Sequence, residues 1–181
     1  MKKLCIALVA WVCPLTLWAA PHCQTIDQIT PTQTPVELTQ SMLACVQNNR
    51  YTDAVDLFNM AGVFAKFDTL RVPDKTAHQA YSVLKMNAGQ ALSEEQLEKF
   101  DAQSKKSLES DGYHEKLCAT AKKIGKPTYT PTYMTNHGMA AFTGRTLPNE
   151  ELSPPLGGKT GFDTDHAWNH VLDTYLKCPS K

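Results

Sequence analysis

Six cysteines stand in this chain of 181 residues, and their placement constrains the fold more than any other feature. Two of them, Cys5 and Cys13, lie in the opening stretch MKKLCIALVAWVCPLTLWAA. That stretch is built like a secretory signal peptide: a basic start (Lys2, Lys3), an apolar run from Leu4 to Trp18, then small Ala19 and Ala20. The run is short and carries Pro14, so no transmembrane span is expected. Cleavage after Ala19 or Ala20 would leave a mature chain beginning at Ala20 or Pro21, its domain spanning 21–181, in the periplasm or beyond. His22 stands before Cys23 where a lipidation signal needs a small residue, so no lipid anchor is expected.

Four cysteines then remain: Cys23, Cys45, Cys118 and Cys178. An even number in an oxidising compartment reads as two disulfides. Three pairings are open. Cys23–Cys45 with Cys118–Cys178 is favoured, because each bond would tie an end of the chain to a helix. Each would add about 2–4 kcal/mol. No two cysteines are spaced as C-x-x-C, which argues against a redox or metal role.

Charge narrows the partners. The whole chain balances 18 basic against 18 acidic residues, and losing Lys2 and Lys3 leaves a mature charge of −2. Without a basic surplus, nucleic acid and anionic membranes are not expected partners. A mature length of about 160 residues fits one domain with a real core.

The periodicity predicts an all-α single-domain bundle of about six helices. In TPVELTQSMLACVQNN, Thr34 caps, Pro35 suits the first helical position, and Glu37 completes a capping box. Leu38, Met42, Cys45 and Val46 share one face. A second helix is predicted over 51–66, started by Thr52 or Asp53, with Ala54, Leu57, Phe58, Ala61 and Phe64 inward. A third runs from an Asp74 cap to about Asn87 and is ended by Gly89, with Ala77, Ala80, Tyr81 and Leu84 inward. Ser93 and Gln96 form the capping box of a fourth, whose apolar face is Leu97, Phe100 and Leu108. A fifth, DGYHEKLCATAKKIGKP, presents Leu117, Cys118, Ala121 and Ile124 and stops at Gly125 and Pro127. Residues 143–164 read as a long Pro/Gly loop. The last helix is capped by Asp163 or Asp165 and packs through Ala167, Val171, Leu172, Tyr175 and Leu176.

The pair LACVQNNRYTDAVDLFNMAG resembles one helix-turn-helix unit of the tetratricopeptide or Sel1 repeat class, on Tyr51, Ala54, Phe58 and Ala61. No second copy follows at a fixed period, and a solenoid needs about three. The resemblance therefore implies a single helical hairpin.

The chemistry-bearing residues concentrate in KKIGKPTYTPTYMTNHGMAAFTG, residues 122–144. As catalysis, His137 would be a general base, with Tyr129 or Tyr133 as acid or oxyanion donor. No nucleophile signature accompanies them. The plainer reading is a packed plug between helices with an exposed Tyr-rich rim, in which Tyr129, Tyr133, Met134, Met139 and Phe142 fill a gap. His166 and His170 sit four apart and would share a helix face with Asp163 nearby, the donor set of a zinc site. Ala167 follows the first His where the zinc-protease motif requires Glu, so no metal is assigned. Gly158-Lys159-Thr160 echoes a phosphate loop, but Ser153 occupies the required first Gly position, and no cofactor is assigned.

The spaced elements RYTDAVDLF, FDTLRV, TAHQA and PTYMTNHGM resemble those of uncharacterised exported proteobacterial helical proteins. By type, that resemblance implies a non-catalytic protein-binding domain, with an immunity-type protein that neutralises a secreted antibacterial effector as one form of it. Aromatic and Arg anchors would carry binding: Tyr129, Tyr133, Arg71 and Arg145, with His137 beside them. The alternative is a periplasmic hydrolase using His137 or a His166/His170 metal site.

Overall fold

Cys23 bonds Cys45 and Cys118 bonds Cys178 in the computed structural model, which describes residues 21–139 and 162–179. The signal-peptide stretch, Arg145 and most of the 143–164 segment lie outside the described residues. Two disulfides belong with an oxidising, non-cytoplasmic compartment. No described helix is long and apolar enough to cross a membrane.

The architecture is an all-α single domain, without strands among the described residues. A short 3-10 turn, Ile26–Gln28, leads into α1 (Pro35–Gln47) and α2 (Tyr51–Arg71). A second 3-10 turn, Lys75–Gln79, runs into α3 (Ala80–Gln90), followed by α4 (Glu94–Glu109), α5 (Tyr113–Ile124) and the one-turn α6 (Thr132–Thr135). Last comes α7 (Thr164–His170), which widens into a π-turn, Val171–Tyr175.

Local chemistry starts α1 as read from the sequence. Thr34 Oγ1 accepts from Glu37 N, and Glu37 Oε2 accepts from Thr34 N at 2.7 Å, so the capping box is closed both ways. Asn49 turns the chain back with φ of 57°, a left-handed conformation that Asn tolerates better than most residues. Helix α2 then runs antiparallel beside α1 as a hairpin.

Helix α2 is the axis of the molecule. Its buried positions go nearly all the way round: Ala54, Val55, Leu57, Met60, Phe64 and Phe67 are among them. A helix apolar on every side must be covered on every side. Helices α1, α4, α5 and α7 do so, with Trp168 of α7 edge-on to Phe64 and Phe67 at 6.1 and 5.8 Å. Each such buried aromatic contributes about 1.5–3 kcal/mol by leaving water.

Several boundaries and faces differ from expectation. Helix α2 runs five residues beyond the predicted 66 and stops at Arg71, because Val72 precedes Pro73 and is driven to an extended conformation. Its N-cap is Arg50, not Thr52 or Asp53, and Asp53 instead holds the Arg50 guanidinium at 2.7 Å. Asp74 caps the 3-10 turn through Thr76 N rather than an α-helix, and Gly89 lies inside α3. On α4 only Phe100 and Ser107 are buried, while Leu97 and Leu108 are exposed at 36% and 72%. The stripe that meets the core runs through Phe100, edge-on to Phe58 at 5.5 Å, and turns Leu108 to solvent. Tyr175 is exposed as well, although its neighbours Val171 and Leu172 pack as expected.

Candidate functional site

Near the C-terminal end of α2, Asp68 is a wholly buried carboxylate. A lone buried charge is costly, so its partners define what surrounds it. Arg71, three residues on, donates from Nε to Oδ1 at 2.8 Å. The hydroxyls of Tyr129 and Tyr133 both donate to Oδ2 at 2.9 Å. The guanidinium lies over the rings of Phe67 and Tyr129, at 5.1 and 4.9 Å from their centroids. Arg71 Nη2 also approaches Oδ1 to 2.6 Å, but off the line of an N–H, and is a buried nitrogen left without a hydrogen bond.

Burial raises the Asp68 carboxyl pKa, against the opposing pull of Arg71 and both phenols. The phenols move strongly upward, chiefly through burial and then through the Asp68 charge. Neither Tyr129 nor Tyr133 therefore offers a proton near neutral pH. Their chemistry here is to donate and to hold. Three residues chosen from the sequence as anchors thus meet, and they meet around a fourth that was missed. The tyrosine hydroxyls of the expected exposed rim turn inward, because a buried carboxylate needs donors. Asp68 did carry a signal: an acid inside the apolar run VFAKFDTL, with Arg three positions later.

The network pins the turn that follows. Helix α6 spans Thr132–Thr135, with Met134 fully buried against Val72, Ala77 and Ala80. Gly138 lies outside any described α-helix and presses onto the 3-10 turn, where an added Cβ would meet Asp74 Oδ2 and Ala77 Cβ. Met139 N donates to Thr76 Oγ1 at 2.9 Å. On the outer side, His137 is exposed, and its ring hydrogen-bonds no described residue.

The other histidines separate. Asp163 Oδ1 accepts from Asp165 N and His166 N, which makes it the α7 cap. His166 and His170 are exposed on α7, and no group of three or more His, Cys, Asp or Glu able to hold a metal occurs among the described residues. His78 pairs with Val72 O and His114 with Leu176 O, so both serve chain packing.

Beside the pinned turn lies a cleft of about 650 Å³, bounded by residues 21–24, the first half of α1 and residues 132–136. Tyr133 lines it, and His137 does not. Nothing local in the sequence signals this cleft, because its walls lie about a hundred residues apart in the chain. Comparison with known proteins adds no relative: no family model, no curated protein and no solved structure matches the chain.

Proposed function

We propose that the chain is an exported, non-catalytic protein-binding domain, and that the turn 135–139 is its recognition surface. The observation that carries this is mechanical. The inner side of the turn is fixed by Tyr133 on Asp68 and by Met139 N on Thr76, while its outer side presents exposed Asn136, His137 and Met139. A surface held in place before binding loses less entropy when a partner docks. Methionine adapts its shape to a partner well. An immunity-type role against a secreted effector is one form of this function.

The hydrolase alternative finds less support. Among the described residues no carboxylate hydrogen-bonds His137 to orient it, and the neighbouring phenols are committed to Asp68.

The test is affinity capture from the envelope of the source organism with the oxidised chain and with a His137→Ala, Met139→Ser variant. A partner captured by the first and lost with the second supports the proposal. A partner retained by the variant moves the surface elsewhere, and hydrolysis of an ester or amide panel lost on His137→Ala would overturn the non-catalytic reading.

A further inference from the structure

We propose that the cleft beside α6, which shares Asn136 with the protein-binding turn but not His137 or Met139, is a binding site for a neutral saccharide. The argument starts from what its walls can offer. Gln24 is 3% exposed and locked to Gln33 by reciprocal amide hydrogen bonds of 3.2 and 3.0 Å. This pair forms a stiff wall, held further by Gln24 N on Ser41 Oγ at 3.2 Å. Each amide keeps one N–H beyond that pairing.

The second wall is α1. Glu37 and Gln40 lie three apart and therefore on one face. Glu37 Oε2 is occupied by Thr34 N and Thr34 Oγ1, which fixes the carboxylate and leaves Oε1 without a described partner. Across the cleft stands Asn136. The side chains of Gln40 and Asn136 are exposed and hydrogen-bond no described residue. The cleft thus offers donors and acceptors together, on planar groups suited to adjacent hydroxyls.

What is missing from the lining narrows the ligand. Among the described residues of the lining, His22 is the one basic group and Glu37 the one acidic group, with no Lys or Arg, so a phosphate or carboxylate finds no ammonium or guanidinium to pair with. The apolar side chains among the described lining residues are Pro21, Val36 and the ring of Tyr133, a surface suited to the C–H face of a sugar ring. The volume, about 650 Å³, falls within the range of roughly 300–1,000 Å³ usual for small-ligand sites. An extended peptide could use the same amides, but it normally adds to a sheet edge, and the described residues contain no strand.

The experiment is a two-dimensional NMR titration of the oxidised chain. The probes are diacetylchitobiose, cellobiose and maltose, with glucose 6-phosphate and a triasparagine peptide for comparison. At least one neutral disaccharide should give saturable shifts at the amides of Gln24, Gln40 and Asn136. Gln40→Ala with Asn136→Ala, both surface positions, should weaken that binding about tenfold while the rest of the spectrum stays folded. Absence of saturation with all three disaccharides overturns the proposal. So does undiminished affinity in the double variant, or tighter binding of the phosphate or the peptide. The protein-capture result bears on none of these outcomes.

Discussion

The hydroxyl of Tyr133 donates to Oδ2 of Asp68 at 2.9 Å, across 65 residues of chain. With Tyr129 on the same oxygen and Arg71 on the other, this bond joins the C-terminal end of α2 to the segment that builds both proposed surfaces. Its energetics can be tested directly.

Replacing Asp68 by Asn keeps the volume but leaves the Arg71 guanidinium without its counter-charge. The expected loss is about 3–5 kcal/mol, as for other buried pairs broken on one side. Tyr133→Phe removes one hydrogen bond and should cost about 1 kcal/mol. Urea unfolding of the two variants measures both. Equal losses would mean that the ion pair contributes nothing beyond one hydrogen bond.

Alkaline pH should destabilise the fold. Tyr81, Tyr113, Tyr129, Tyr133 and Tyr175 are all raised above the ordinary phenol value, with burial as the largest cause in each. Well below pH 10 these five phenols are protonated in both states, and the stabilisation is fully present. Above it the unfolded chain releases protons that the folded chain keeps, so stability falls as pH rises. Tyrosinate absorbance should therefore appear late and together with loss of helical circular dichroism. Early ionisation of these five tyrosines in the folded chain would contradict this.

The two disulfides close loops of different length. Cys118–Cys178 spans 60 residues and Cys23–Cys45 spans 22, which gives about 4 and about 3 kcal/mol by loop entropy. Paired Cys→Ala variants should rank in that order in denaturant midpoint. Peptide mapping of the oxidised chain should recover both pairs.

Gly138→Ala inserts a methyl group where Asp74 Oδ2 and Ala77 Cβ already sit. The turn must lift from the 3-10 segment, at a cost of about 1–3 kcal/mol. Hydrogen exchange at the Met139 amide should accelerate, because its bond to Thr76 Oγ1 depends on that approach. Unchanged protection there would mean that the turn is held by other contacts.

What could be read from the one-dimensional chain follows a consistent pattern. The capping boxes at Thr34 and Ser93 and the stop at Gly125 are local, each satisfied within one helical turn, and spacing alone identifies them, whereas spacing leaves Asp163 and Asp165 both open as the last cap. The favoured cysteine pairing is the one that forms, although Cys23–Cys118 with Cys45–Cys178 would also tie both ends to helices, so packing rather than sequence chooses between them. The tertiary structure decided the rest. It buried α2 on all sides, turned Leu108 outward, and brought Arg71, Tyr129 and Tyr133 onto Asp68. It also opened a cleft between residues 21–41 and 132–136. The physical reason is the range of the forces. A helix cap is satisfied by neighbours three residues away, whereas a buried carboxylate or a cleft exists only after distant segments have packed and excluded water.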